Sequence, residues 1–269
     1  MARAFWKGAI NFGMVVIPVR MYVATKIETP RFHYLHKKCL TRPKQVLYCE
    51  KDDEYFSTKE TVKGYEYAKG HYVVLTDADF DNVPIKSKHT IDIMGFVQSE
   101  DIDQIYYYDS HYLEPEEIGT RPYCLFRDTL TDTNKVGLAK VAFQRREHLC
   151  SIRPMEGILV LQTMHYQNEL RPWKELEPEK EELKPDELRI AKSLVNEMTI
   201  DFKPEEYKDE YRLALEKVIK AKLQGKEVVT VEEKKAEPAP DLMAALRESL
   251  EKAKKKSEAE EKAEVGAKK

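Results

Sequence analysis

Short runs of β-branched, aromatic and other apolar residues recur along the first two thirds of this chain. Each run is bounded by Gly, Pro, Asn or Asp, which is typical of strands separated by turns. Many short strands in succession favour a closed barrel or a sandwich, so we expect residues 1–178 to be mainly β. One helix is predicted there, at 122–131. The runs are 14–19, 71–75, 90–94, 135–143 and 158–164.

Two helices are predicted to follow, over residues 179–230. Pro185 suits the first turn of one helix, and apolar residues continue at helical spacing to Met198. The second is expected to open at Pro204 and to end before Gly225, which suits the C′ position. The pair either packs on the barrel of its own chain, which periodicity alone favours, or forms an arm that reaches a second protomer.

A flexible charged tail is predicted over residues 231–269. Residues 237–240, Glu-Pro-Ala-Pro, have the composition of a linker. A short amphipathic stretch follows, with Leu242, Met243, Leu246 and Leu250 on one face. The residues from Lys252 onward are almost only Lys, Glu and Ala, so we expect them to be disordered.

Composition excludes several classes of protein. No apolar run approaches the ~20 residues that a membrane span needs, and the N-terminus lacks the apolar region of a secretory signal. Four cysteines among 269 residues do not make a disulfide scaffold, so a reducing cytoplasm is expected. The net charge of −3 comes from acids concentrated in residues 175–240, and the mixed first region can still carry a basic stripe.

Catalytic and cofactor motifs are missing from the sequence. We find no glycine-rich phosphate loop, no G-x-S-x-G elbow and no H-E-x-x-H pair. The chain is therefore expected to be no enzyme and to take neither a cofactor nor a small-molecule substrate. The alternatives are an enzyme of an unfamiliar class, with Asp or His in a barrel mouth, and a general interaction scaffold.

Cys39 and Cys49 lie ten residues apart, after His33 and His36. A zinc site would show C-x-x-C pairs, but Asp52 stands where the second pair would be completed. We therefore expect two reduced thiols in a hairpin and no metal. The alternative is a metal site that borrows one of the two histidines.

Basic residues form short blocks, and aromatic residues interleave one of them. Blocks of this kind on β-ribbons suit contact with a phosphate backbone, although each one alone is also typical of a solvated face. The blocks are Arg3 with Lys7; Lys37, Lys38, Arg42 and Lys44, beside Tyr34 and Tyr48; Lys86 with Lys88; and Arg145 with Arg146.

Ordered sequence strings carry a resemblance over about residues 2–229. They are AFWKGAINFG at 4–13, IPV at 17–19, FHYLH at 32–36, VKGYEY at 62–67, YVVLTD at 72–77, GLAKV at 137–141, REHL at 146–149, IRP at 152–154, DF at 201–202 and YKDEY at 207–211. In this order they resemble the prokaryotic Ku proteins of non-homologous end joining.

The resemblance implies a Ku-type β-barrel with an extended β-hairpin bridge at about 37–72, followed by an α-helical C-terminal arm. Such proteins bind double-stranded DNA ends without regard to sequence, as a homodimeric ring. The implied arm embraces the other barrel, which replaces the intrachain packing favoured above. The implied partner is the ATP-dependent DNA ligase D, recruited and stimulated without catalysis by Ku itself. The implied location is the cytoplasm, in association with the nucleoid.

The resemblance also implies which residues touch DNA and the ligase. Two departures from the family pattern are Asp52, which counts against a metal, and the mixed sign of the tail. Segment 241–246 resembles a short C-terminal Ku motif and is the candidate ligase contact, through Leu242, Met243 and Leu246. The implied DNA contacts are Arg3, Lys7, Lys37, Lys38, Arg42, Lys44, Lys63, Lys69, Arg145 and Arg146.

Overall fold

The computed structural model describes residues 3–84, 89–173, 176, 181–225 and 242–267, without the side chains of 242 and 256–267. It divides the chain into two compact units, Met1–Pro172 and Trp173–Lys269. The predicted boundary at 178 and the predicted linker at 237–240 lie outside the described residues.

Eleven strands are described, all in the first unit. They are β1 (Trp6–Phe12), β2 (Val15–Val23), β3 (Leu47–Cys49), β4 (Glu54–Phe56), β5 (Lys63–Ala68), β6 (His71–Leu75), β7 (Thr90–Gln98), β8 (Tyr107–Pro115), β9 (Lys135–Phe143), β10 (Arg146–Met155) and β11 (Ile158–Met164).

Seven of these strands close a barrel in the order β1-β2-β8-β11-β10-β9-β7. Closure depends on a short parallel pairing of β1 with β7, in which Ala9, Ile10 and Asn11 oppose Thr90, Ile91 and Asp92. The Asn11 amide donates a 2.6 Å hydrogen bond to the Asp92 carboxylate at this seam. The prediction of a mainly β barrel is confirmed.

Alternating residues of the strands fill the barrel, because successive strand side chains point to opposite faces. Ile10, Ile17, Ile91, Ile152 and Leu161 are fully buried in one core cluster. Helix α2 (Thr120–Thr133) packs on β2, β9 and β10 and adds Tyr123, Phe126 and Leu130 to that cluster. The predicted helix at 122–131 is therefore confirmed.

The connection from β2 to β7 leaves the barrel and forms two separate hairpins. β3 pairs with β4, and β5 pairs with β6. Every residue of β5 is exposed, as are all residues of β6 except Leu75. A short helix, α1 (Asp77–Asp81), then leads back towards β7. A two-stranded ribbon of this kind has little stability of its own in water, so it needs neighbours to hold it.

The second unit contains α3 (Pro185–Glu197), α4 (Glu210–Leu223) and α5 (Leu242–Ala267). Pro185 begins α3, as predicted, and Gly225 follows α4 with a φ of 70°. The predicted start of the second helix at Pro204 is wrong. Residues Pro204–Glu206 make only one 3₁₀ turn, and α4 begins after Asp209, whose carboxylate accepts a 2.8 Å hydrogen bond from the amide of Arg212.

Helix α5 extends through most of the segment expected to be disordered. The expectation of no regular structure is wrong for residues 252–267, since Lys, Glu and Ala are strong helix formers. A Lys252–Glu248 ion pair at i,i+4 supports the helix. None of the helices within the described residues is long and apolar enough to cross a membrane.

Candidate nucleic-acid interface

Lys63 and Arg145 lie on either side of one carboxylate. Lys63 opens β5, Arg145 lies in the turn between β9 and β10, and Asp77 opens α1. The Asp77 Oδ1 atom is 3.1 Å from an Arg145 guanidinium nitrogen and 3.8 Å from Lys63 Nζ. The structure therefore joins the root of the second hairpin to the barrel through three charged groups.

The ring of Phe80 lies under the same two cations. Lys63 Nζ is 4.8 Å from its centroid, and the Arg145 guanidinium carbon is 5.2 Å away. Cations over an aromatic face gain about 0.5–1 kcal/mol at exposed sites. Phe80 thus holds both side chains on one surface.

A strained turn presents Arg145. Phe143 pairs with Arg146, so Gln144 and Arg145 alone connect β9 to β10. Their φ angles are 52° and 62°, in the left-handed region that a two-residue hairpin of type I′ requires. Asn and Gly are the usual residues here, and a side chain such as Gln or Arg in this region costs about 1–3 kcal/mol. The turn closes a tight hairpin between β9 and β10 and directs Arg145 to Asp77 and Phe80.

Lys7 and Arg146 border the same site. A groove of about 400 Å³ is lined by Lys7, Arg145 and Arg146, together with Phe80, His89 and the buried Trp6. Arg146 is paired with Glu169, which lies in the 3₁₀ turn after β11. Burial works against the ionised Glu169 carboxylate, but hydrogen bonding to the Tyr166 amide, the leading cause, and the charge of Arg146 lower its pKa.

Gly8 allows the close approach of chains beside this groove. The amide of the next residue, Ala9, donates a 3.1 Å hydrogen bond to the carbonyl of His89. A Cβ at Gly8 would lie 2.2 Å from that carbonyl oxygen and 2.3 Å from the ring of Trp6. The Lys-Gly pair at 7–8 therefore places a cation and a close backbone contact side by side.

The other implied DNA contacts are exposed but lie apart from this groove. Lys37 and Lys38 lie in a turn, Arg42 and Lys44 in the stretch before β3, and Lys69 in the turn of the second hairpin. Arg3 precedes β1 and is exposed. The structure thus brings together Lys7, Lys63, Arg145 and Arg146, and leaves the rest distributed along the β2–β7 connection and the N-terminus. Lys86 and Lys88 lie outside the described residues.

Cys39 and Cys49 lie in different segments of the chain and have different hydrogen-bond partners. Cys49 ends β3 and donates to the Asp52 carboxylate at 3.2 Å, whereas Cys39 lies in an earlier turn, 3.1 Å from His36 Nδ1. The expectation of both thiols in one hairpin is therefore wrong for Cys39. In the described part of the chain, no three His, Cys, Asp or Glu side chains are grouped to hold a metal ion.

The candidate ligase contact lies on α5, a helix that already packs against α3. Met243 and Leu246 are half-buried on α5, which packs against α3 within the second unit. The side chain of Leu242 lies outside the described residues. The assignment of these residues to a partner stays a prediction.

Asp77 and Phe80 were not among the expected site residues. The strings VKGYEY and YVVLTD, which contain Lys63 and Asp77, resemble the family in this region. They do not indicate which cations the Asp77 carboxylate contacts. Arg145 and Asp77 are 68 residues apart, and only the fold brings them together.

Comparison with known proteins agrees with this architecture. Residues 11–190 match the family model described as the Ku70/Ku80 beta-barrel domain, which is more than half of the chain. The chain belongs to the Ku family. The predicted family resemblance is confirmed.

Relatives with known names extend the Ku match beyond the barrel. A non-homologous end joining protein Ku from Solibacter usitatus is 41% identical, over 95% of this chain and 96% of the relative. A protein of that name from Archaeoglobus fulgidus is 39% identical, over 93% and 98%. Another from Symbiobacterium thermophilum is 39% identical over 92% of this chain, which spans only 62% of that relative.

A solved structure gives a weaker likeness. The SPOC domain of human PHD-finger protein 3 superposes with a TM-score of 0.30 at 12% identity, over 60% of this chain and 95% of that one. A likeness of this size carries no argument about the Ku chain.

Proposed function

We propose that this chain binds the ends of double-stranded DNA without sequence preference, in non-homologous end joining. The observation that carries the proposal is the convergence of Lys7, Lys63, Arg145 and Arg146 on one surface of a Ku-family barrel. Cations at such a surface contact phosphates, which gives affinity and carries no base information. Selectivity for ends then comes from topology, because a closed ring can load only where a duplex stops.

The proposed ring is a homodimer, with the exposed hairpins and the helical arm as its closing parts. Support comes from large apolar side chains that water reaches in the second unit: Val195, Met198, Ile200, Phe202, Tyr207, Tyr211 and Leu223. Two of them, Phe202 and Tyr207, lie together with ring centroids 5.7 Å apart, and exposed apolar patches mark interaction surfaces. A second protomer would cover them, as the family resemblance implies.

DNA ligase D is the proposed partner of the loaded ring. The candidate contact is α5, through Leu242, Met243 and Leu246. Stimulation of purified ligase D by the wild-type chain, and its loss on Met243→Asp with DNA binding retained, are the expected results. Equal stimulation by Met243→Asp would move the ligase contact elsewhere.

The test of end binding compares a blunt linear duplex with a covalently closed circle of the same sequence, by gel shift at moderate salt. Binding to the linear duplex alone is the expected result. Equal binding to both would reduce the chain to a salt-dependent phosphate binder.

A matched pair of variants tests the surface itself. Lys7→Gln is expected to weaken binding on every sequence and to reduce the slope of log K against log salt by about 1, since one phosphate contact is lost. Lys135→Gln is the control, because Lys135 is equally a surface lysine but begins β9, at the opposite end of that strand from the Arg145 turn. A loss of binding in Lys135→Gln as large as in Lys7→Gln would contradict the assignment.

A further inference from the structure

We propose that the Asp77 carboxylate occupies the position of a DNA phosphate in the free protein and is displaced by that phosphate when the duplex binds. The inference rests on the proposed function and adds a residue to it. Asp77 thereby lowers the affinity for DNA, because its carboxylate neutralises Lys63 and Arg145 until the phosphate displaces it.

The geometry around Asp77 is that of an anion-binding site. One of its oxygens lies between Arg145, at 3.1 Å, and Lys63, at 3.8 Å. Arg and Lys side chains that converge on one anionic oxygen are a common arrangement in phosphate-binding sites. Phe80 holds both cations from below, independently of the acid. The two cations are thus already arranged for a phosphate oxygen, and the carboxylate fills the place.

The carboxylate is well placed to be replaced. The Asp77 side chain is 78% exposed, and Lys63 and Arg145 are 60% and 48% exposed. Ion pairs this exposed contribute little to stability, so they yield easily to a competing anion. A duplex also carries further phosphates for Lys7, which lines the adjoining groove beside Arg145, and one carboxylate offers no such contact.

Helix α1 does not depend on the Asp77 carboxylate for its cap. The Thr76 hydroxyl and amide both donate to the Asp79 carboxylate, at 2.6 and 2.7 Å, and the Asp79 amide donates back to the Thr76 hydroxyl at 3.4 Å. This capping box holds the first turn. Asp77 can therefore release its cations while α1 stays folded.

The test measures binding of a short blunt duplex by fluorescence anisotropy across a salt series. Asp77→Asn keeps the side-chain shape and removes the charge, and it is expected to bind about two- to fivefold more tightly, the size expected of exposed ion pairs. Glu156→Gln is the matched control. It makes the same change of charge on an exposed residue that follows β10, at the opposite end of that strand from Arg145, and binding is expected to stay unchanged.

A double-mutant comparison tests the masking itself. Lys63→Gln is expected to weaken DNA binding more in the Asp77→Asn background than in the wild type. In the wild type the Lys63 ammonium is already paired with the Asp77 carboxylate, so its loss matters less. Equal costs in the two backgrounds would overturn the inference. Melting temperatures of all variants establish that each is folded.

The remaining outcomes separate this inference from the proposed function. Unchanged or weaker binding by folded Asp77→Asn, with wild-type preference for linear duplex intact, would overturn the masking and show Asp77 as a brace for the hairpin. Equal wild-type binding of linear and closed duplexes would end the end-binding function alone, and the variants would still decide Asp77. Absence of any DNA binding by the wild type would end both.

Discussion

The imidazole of His148 stacks on the ring of Phe143, with centroids 4.1 Å apart and planes 14° from parallel. The Tyr108 hydroxyl lies 2.6 Å from His148 Nδ1, and His111 meets the same Phe143 ring at 5.7 Å. Both histidines are buried. Phe143 is the last residue before the turn that carries Arg145. That turn is therefore anchored by the packing of Phe143 against the two imidazole rings.

Stability is expected to fall in mild acid because of these histidines. Burial lowers the pKa of His148 below its ordinary 6.5, the charge of Arg146 lowers it further, and burial likewise lowers the pKa of His111. Below about pH 6.5 the unfolded chain therefore binds more protons than the folded chain. The stabilisation is fully present above pH 6.5 and is lost as the pH falls through the folded-state pKa values.

Urea denaturation between pH 8 and pH 5 measures this loss. His148→Gln is expected to reduce the change across that range, since one titrating group is removed. A wild-type protein that becomes more stable on acidification would contradict the prediction.

Gly8→Ala is expected to destabilise the barrel by about 1–3 kcal/mol, the cost of forcing an extra carbon into a packed site. The new Cβ would collide with the His89 carbonyl and with Trp6. Gly95→Ala is the matched control, because Gly95 also lies in a barrel strand but has open space where the Cβ would go. Equal melting temperatures for the two variants would show that the seam near Gly8 relaxes freely.

Cys39 is expected to be the most reactive thiol of the chain near neutral pH. Hydrogen bonds from the Thr41 hydroxyl, 2.8 Å away, and amide, and the contact with His36, lower the pKa of its thiol from 9 to about 7. The thiolate is the reactive form, so alkylation by iodoacetamide should follow a titration with a midpoint near pH 7.

Mass spectrometry of alkylated peptides gives that midpoint. Thr41→Val removes the leading hydrogen bond, so its midpoint is expected to move towards pH 9. The fully buried Cys150, whose pKa is raised by burial, serves as an unreactive thiol within the same sample. A Cys39 midpoint that stays near pH 7 in Thr41→Val would contradict the assignment of the lowered pKa to the Thr41 hydrogen bond.

Phe202→Ser is expected to weaken the proposed dimer. The Phe202 side chain is 77% exposed, and its ring lies 5.7 Å from that of Tyr207. Burying a Phe side chain contributes about 1.5–3 kcal/mol. Because a homodimer carries the substitution in both protomers, the dimer dissociation constant should rise roughly 100- to 10,000-fold. Sedimentation velocity over a concentration series measures the change, with Lys208→Ser as a nearby substitution that removes no apolar ring. Dimerisation of Phe202→Ser at wild-type strength would place the interface elsewhere.

Strands with clear edges were predictable from the sequence. Residues 71–75, 135–143 and 158–164 form β6, β9 and β11 with the predicted bounds, because turn residues limit each apolar run. β8 was missed, since its sequence mixes tyrosines with Asp, Ser, His and Glu. β3 and β4 have three residues each, too few for any periodicity to show.

The site was predictable only as separate blocks. Pattern reasoning found Lys7, Arg145 and Arg146 because they lie in short runs of basic residues, and family resemblance added Lys63. It could not find that Lys63 and Arg145 share Asp77, since that contact depends on how the hairpin returns to the barrel. Short-range patterns carry no information on contacts between residues 68 positions apart.

The seam between β1 and β7 joins Asn11 to Asp92, 81 positions along the chain, and both hairpins lie in the loop that connects β2 to β7. The entropy of closing such a loop rises by only about 0.6 kcal/mol for each doubling of its length. Insertions or deletions within the hairpins should therefore cost the barrel little. The hairpins can therefore vary in length, in evolution or by engineering, while the barrel keeps one size.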